Sequence, residues 1–316
     1  MDLPTLRQLE YALALGETLS FREAARECHV TQPSLSAQVQ LLEDLLGVVL
    51  FERDRRRVIL TEDGVRLLEH ARRVVAEARA MVEVSREIRA PLSGSLCLGA
   101  ISTVAPYVLP PVFRRVSEAY SEAELHLCEE SSVKIQHKLA SGDLDLILIA
   151  LESLAPERFA TLPLFEDELC VALPVEHPLA EHERLHESDL IDESILLLSE
   201  GHGLRDQTIA LCQRVGVRSF DTHRAGSLTT LVQMVASGLG VTLLPKLAVG
   251  LEVDRVRPGE VVTRPFADPA PSRTVALAWR HSCPRERDFL LFGEEVRRAR
   301  EESLEGAGAA TARSAP

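Results

Sequence analysis

No apolar run in this 316-residue chain approaches the roughly 20 residues that a membrane-spanning helix needs. Met1 is followed by no signal-peptide pattern, so the expectation is a cytoplasmic protein with no membrane partner. The six cysteines (Cys28, Cys97, Cys128, Cys170, Cys212 and Cys283) lie far apart and form no C-x-x-C pair. That argues against a zinc knuckle or a disulfide scaffold. Most are expected to be small buried hydrophobes, above all Cys97, Cys128 and Cys170 in apolar, strand-like runs. No G-x-S-x-G elbow is present, which removes the usual serine-hydrolase signature. An excess of positive charge is missing too: the net charge is -13, which looks wrong for a nucleic-acid binder until it is counted by region. Residues 1–90 hold 13 arginines and 15 acids, the remainder 22 basic residues and 33 acids, so most of the acidity lies outside the first 90 residues.

What is present is concentrated in residues 20–60. Ser20 and Glu23 have the spacing of a capping box at the start of a short helix ending near Cys28. His29, Val30 and Thr31 make a turn, Thr31 can cap a second helix, and Pro33 falls in its first turn, where no helical hydrogen bond is lost. Leu35, Val39, Leu42 and Leu46 form one buried stripe, and Gly47 stops the helix. Thr31, Gln32, Pro33, Ser34, Ser36, Ala37 and Gln40 crowd the outer, N-terminal half of that helix. Small, uncharged, hydrogen-bonding side chains there allow close approach to base edges in a major groove. Beyond Gly47, two apolar arms flank Arg53, Arg55, Arg56 and Arg57, four arginines within five residues. This reads as a wing that grips phosphate. The near-neutral balance of the first 90 residues suggests that two such heads would be needed for useful affinity.

The flanking segments extend this reading. Residues 3–16, with Leu3, Leu6, Leu9 and Leu13 roughly on one stripe, are expected to pack behind the helix pair. After the wing, Thr61 can cap a long helix to about Arg89, in which Leu68, Ala71, Val75, Ala78, Val82 and Ser85 alternate spacings of three and four. That is a coiled-coil seam. Leu67, Val74, Met81 and Ile88 widen the apolar face, so the helix is read as a dimerising linker. Pro91, Leu92, Ser93 and Gly94 break it. Strands and helices then alternate: SLCLGA, ELHLCEE, LDLILIAL, ELCVALPV, ILLLSE, VTLLP and TVALAWR, with helices between them. This predicts an α/β region with parallel sheets. The small, polar residues 303–316 are expected to form a disordered tail.

AARECHVTQPSLSAQVQLLEDLLGVVLFER resembles the winged head of LysR-type transcriptional regulators, and the resemblance runs to about residue 300. It implies an all-α winged helix-turn-helix head with a long linker helix, and an α/β effector region of two periplasmic-binding-protein-like (type 2) subdomains. The expected boundaries are 1–61 for the head, 62–90 for the linker and 91–302 for the effector region. Subdomain I takes 91–163 and 267–302, subdomain II 164–266, with crossings near Pro163 and Phe266. The implied partners are double-stranded DNA with a two-fold-related operator, a second copy of the chain in a homodimer or homotetramer, and RNA polymerase.

In open α/β sheets ligands bind beyond the carboxyl ends of strands, where helix N-termini offer donors. Hydroxyls follow those strands at Ser102 and Thr103, at Ser131 and Ser132, at Ser199 and at Ser227 with Thr229, which suggests a small polar or anionic ligand, or a peroxide. Within the family the chain is most similar to peroxide-sensing members, through STVAPYVLPPVF, ASGDLDLILIAL, EGHGLRDQTIALCQRVG and SLTTLVQMVASGLGVTLLPKLAV. The resemblance implies a site at Thr103, Ser132, His202, Arg205, Asp206 and Cys212, the last at the position of the resolving cysteine. Gly203 stands where those sensors carry their reactive cysteine. A glycine forms neither a sulfenic acid nor a disulfide, so that switch cannot run in this chain.

Two other classes fit the sequence less well. His182, Glu183 and His186 spell HExxH, the mark of zinc proteases when one helix carries both histidines. Pro178 lies just upstream and the segment is charged all round, so no metal and no cofactor is expected. A solute-binding protein would lack the DNA-reading head and would carry a signal peptide.

Overall fold

The computed structural model describes residues 3–54, 57–87, 90–155, 157–217, 220–253, 256–257 and 259–313, and the chain divides into two compact units, the first comprising Met1–Ile88 with Ala140–Asp143 and the second the remainder. In the first unit, α1 (Leu6–Thr18) begins with a reciprocal cap: the Thr5 hydroxyl accepts from the Gln8 N–H, and Gln8 Oε1 accepts from the Thr5 N–H at 2.9 Å. Its buried residues are Leu9, Tyr11, Ala12 and Leu15, whereas Leu3 and Leu6 are exposed. The expected stripe is therefore rotated. The reason is α4 (Glu62–Glu87), which approaches the small face of α1 so closely that a Cβ on Gly16 would come within 2.6 Å of the Leu68 side chain.

Helices α2 (Phe21–Glu27) and α3 (Gln32–Leu46) start and stop as expected, although the cap of α2 is one-sided, the Ser20 N–H donating to the Thr18 hydroxyl rather than to Glu23. Ser20 accepts from the Glu23 N–H, Thr31 accepts from the Ser34 N–H, and Gly47 closes α3 at φ 68°. The strands β1 (Phe51–Asp54) and β2 (Arg57–Leu60) pair antiparallel from Phe51↔Leu60 to Asp54↔Arg57. Arg55 and Arg56 lie outside the described residues.

Thr61 caps α4 through the Gly64 N–H at 2.9 Å. The row read as a dimer seam is split by the structure: Leu68, Ala71 and Val75 belong to the head's own core with Leu9, Ala12, Leu15, Leu35, Val39 and Leu42. Val74, Met81 and Val82 are exposed, Leu67 and Ala78 half-buried. Leu67 packs against that core as well, so of the second row Val74 and Met81, seven residues apart, are left exposed on α4; Ile88 lies outside the described residues.

The second unit runs β3 (Gly94–Ile101), α5 (Ala105–Ala119), β4 (Ala123–Glu130), α6 (Ser132–Ser141), β5 (Leu146–Ala150), β6 (Ala160–Pro174), β7 (Ile195–Leu198), α7 (Gly203–Val215), β8 (Phe220–Ala225), α8 (Leu228–Ala236), β9 (Thr242–Pro245), α9 (Lys246–Glu252), β10 (Val261–Pro265), β11 (Ser272–Trp279) and α10 (Glu286–Arg313). Three 3-10 turns, at Leu151–Ser153, Pro178–Glu181 and Glu187–Leu190, interrupt this order.

Among the described residues, seven strands share one sheet in the order β10-β6-β11-β5-β3-β4, with β9 also on β6. β3 is parallel to β4 and β5, but β11 runs antiparallel to both β5 and β6, and β9 and β10 antiparallel to β6. The expectation of parallel sheets holds for the separate β7–β8 pair, but this larger sheet is mixed, because β11 brings the chain back between β5 and β6 from the opposite end. β6 serves both lobes. It pairs with β11 up to Glu168 and with β9 from Leu169 onward, which puts the crossing at Leu169 rather than near Pro163. The return lies between Pro265 and Ser272.

Two further expectations change. Residues 303–313 continue α10; extending an existing helix avoids the costly nucleation step, and the alanines there favour it. Cys97 and Cys128 are half-buried, Cys128 because β4 is the edge of the sheet.

Candidate functional site

The residues expected to read DNA lie on α3. Leu35, Val39 and Leu42 anchor it, and this turns Thr31, Gln32, Pro33, Ser34, Ala37 and Gln40 to solvent, with Ser36 half-buried. Gln40 Nε2 donates to Asp44 Oδ1 at 3.1 Å, so its amide is held along the helix. The wing is tied to the same helix by a residue that patterning did not single out. Glu43 is buried, and its Oε1 accepts from the Leu50 N–H at 2.8 Å and the Phe51 N–H at 3.1 Å. Reader and wing are thereby fixed to each other. Arg53 and Arg57 stand on the paired strands at the turn end of the hairpin, opposite Val58 and Asp54.

In the effector region a cleft of about 550 Å³ lies beside the first turn of α7, lined by Ser132, Gln136, Glu152, Ser153, Gly203 and Asp206 among others. Ser132 and Gly203 are brought together: the Gly203 N–H donates to Ser132 Oγ at 3.1 Å. Gln207 Nε2 donates to Glu152 Oε2 at 3.2 Å, while Gln207 Oε1 and the hydroxyl of Ser153 are buried with no partner among the described residues. Arg214, also lining the cleft, is held by Glu187 at 2.8 Å.

Other expected site residues are placed elsewhere. Thr103 is buried against Arg273, whose Nη1 donates to the threonine hydroxyl at 2.9 Å. Arg273 is fully buried and bonds Asp167 through Nε at 3.0 Å and Nη2 at 2.9 Å, and Asp167 Oδ1 accepts from the Leu247 N–H that opens α9. This network joins the strands at the lobe crossing, and the hydroxyl of Thr103 serves it. His202 precedes α7 and makes no side-chain cap; burial pushes its imidazole below the usual range. Arg205 is mostly buried beside Glu200, with Nη1 lacking a partner among the described residues.

Cys212 lies within the core of the second lobe, fully buried with Leu197, Leu211 and Val232, and burial pushes its thiol up to about 11. It shares α7 with Gly203. Nine residues of helix span about 13.5 Å, whereas a disulfide needs Cα atoms about 4.4 to 6.8 Å apart.

The HExxH segment is not helical. His182 ends one 3-10 turn, and His186 begins another. Among the described residues no helix is long and apolar enough to cross a membrane.

A winged helix-turn-helix head followed by a two-lobed α/β effector region defines a DNA-binding transcriptional regulator. Residues 6–65 match the model of the bacterial regulatory helix-turn-helix proteins of the lysR family, and residues 89–301 match that of the LysR substrate binding domain. The chain belongs to the LysR family. It is 42% identical over 297 residues to a probable hydrogen peroxide-inducible genes activator of Streptomyces viridosporus, covering 94% of each chain. It is 39% identical over 302 residues to the HTH-type transcriptional regulator EstR of Acinetobacter baylyi, covering 94% of this chain and 97% of the relative. A full-length cysteine-to-aspartate OxyR from Pseudomonas aeruginosa superimposes with a TM-score of 0.77 at 36% identity, covering 94% of this chain and 96% of that one. The protein is thus a LysR-type transcriptional regulator related to the peroxide-responsive OxyR group.

Proposed function

We propose that this regulator binds a two-fold-related operator as a homo-oligomer, acts on RNA polymerase, and is switched by a small molecule in its effector cleft rather than by an internal disulfide. The observation that carries this reading is the state of α7: its first residue has no side chain, and its single thiol is buried, weakly acidic and about two and a half turns away. A buried thiol with a raised pKa is a poor nucleophile toward peroxide.

The cleft supports a small-molecule input. Ser153 and Gln207 each present a buried polar atom without a partner among the described residues, and such groups are costly unless something satisfies them. Two carboxylates, Glu152 and Asp206, line the space, while the guanidinium of Arg214 is occupied by Glu187. An anion is disfavoured there. The ligand class that fits donates hydrogen bonds and carries no negative charge. The relatives include a probable hydrogen peroxide-inducible genes activator and a regulator, EstR, whose name states no input, so likeness alone does not choose the input.

Titrating the protein with hydrogen peroxide, while following Cys212 by mass spectrometry and DNA binding by footprinting in the same samples, tests the reading. The expected result is an unmodified Cys212 and an unchanged footprint. A footprint that shifts with peroxide, and no longer does so in Cys212→Ala, would establish one-cysteine sensing instead.

A further inference from the structure

Position 203 is closed from the opposite wall of the cleft. A Cβ built on Gly203 would lie 1.8 Å from Ser153 Oγ, 2.6 Å from Ser153 Cβ and 3.2 Å from Ser132 Oγ. Rotating the serine about χ1 would remove the first contact but not the second, so the backbone of the 3-10 turn Leu151–Ser153 would have to move. That turn is held from three directions. Gln136 Nε2 on α6 donates to the Ser153 carbonyl at 2.9 Å, Glu152 Oε1 accepts from the Thr274 N–H of β11 at 2.8 Å, and Glu152 Oε2 accepts from Gln207 on α7.

We infer that Ser153 is a specificity-determining residue of the effector cleft: its hydroxymethyl group fills the room of a residue-203 side chain and puts an unpartnered hydroxyl there in its place. Positions 153 and 203 then act as one unit. A side chain on the first turn of α7 requires the loss of the one on the 3-10 turn, so a reactive group introduced at 203 alone meets a filled site. The inference rests on the reading of this cleft as the effector site.

The full-length protein, carrying Cys212→Ala throughout, can be compared as Gly203→Cys, Gly203→Cys with Ser153→Ala, and Gly203→Cys with Ser153→Gly. Each is assayed for Tm and for the rate at which hydrogen peroxide oxidises the introduced thiol. In that reaction the thiolate attacks one peroxide oxygen: an S–O bond forms as the O–O bond breaks, sulfur is oxidised by two electrons to the sulfenic acid, and the departing hydroxide takes up a proton to become water. Overpacking should lower the Tm of the single variant by roughly 3 to 10 °C. Ser153→Ala retains the Cβ and should recover less than half of the loss, whereas Ser153→Gly should recover most of it. A thiol seated at the helix N-terminus is more acidic than a displaced one, so the Ser153→Gly pair should oxidise about tenfold faster than Gly203→Cys alone. Equal Tm and equal rates for the single variant and the Ser153→Gly pair would overturn the role of Ser153. A peroxide response of the native chain through Cys212 would overturn the proposed function instead, and the absence of that thiol from every variant keeps the two outcomes apart.

Discussion

Arg273 is the residue whose replacement should be felt most widely in the effector region. Its guanidinium is fully buried, and burial alone would push its pKa down, opposed by the Asp167 carboxylate. A buried ion pair is not necessarily a net stabiliser over apolar residues, but breaking one from a single side leaves an uncompensated charge, at about 3 to 5 kcal/mol. Arg273→Met should therefore lower the denaturant midpoint by a corresponding amount. Arg273→Met with Asp167→Asn should lose clearly less, because the amide keeps an oxygen for the Leu247 N–H and carries no charge. Equal losses in the two proteins would mean that the orphaned carboxylate is not what costs stability. None of this was legible in the sequence, since Asp167 and Arg273 are 106 residues apart and read as ordinary strand charges. Ser153 was missed for the same reason: it matters only because the 3-10 turn meets α7, and nothing in its local sequence marks it. That Gly203 and Cys212 share one helix was legible because both lie on one short segment with a helical pattern.

At the scale of elements, capping chemistry and periodicity located α2, α3, the wing and α4 because those signals are local. The dual use of α4 was not readable, since two apolar rows on one helix do not say which is taken by the same chain. The structure assigns Leu68, Ala71 and Val75 to the head core and leaves Val74 and Met81 exposed. Two substitutions separate the roles. Val75→Asp buries a charge in the head core and should destabilise it by several kcal/mol, seen as early loss of the head's helical signal on heating. Val74→Asp with Met81→Asp should leave that melting intact while reducing the mass measured by analytical ultracentrifugation. A double variant that keeps both its assembly and its operator affinity would place the main interface in the effector regions. The sheet was half legible: strand positions follow from apolar runs, but the direction of β11 depends on where the chain returns, which no local pattern encodes.

On the scale of the whole molecule, the net charge of -13 opposes approach to DNA, so the proposed source of affinity is a few arginines of the wing. The wing and the reading helix then make distinct contributions that one binding series can resolve. Phosphate contacts release counterions and are blind to sequence, at about 0.9 in the slope of log K against log salt for each contact. Base-edge contacts change preference by roughly 1 to 3 kcal/mol per base pair and leave the slope nearly alone. Arg55→Ala with Arg56→Ala should therefore weaken binding to operator and random DNA alike. The salt slope should fall by up to about 1.8 per subunit, twice that for a dimer engaging both half-sites. Ser34→Ala, at an exposed position of α3 held by the Thr31 cap, should instead narrow the ratio between operator and random DNA at nearly constant slope. An unchanged slope in the arginine variant would mean that the wing does not touch the backbone, and equal loss on both DNAs in the serine variant would mean that α3 is not the reader.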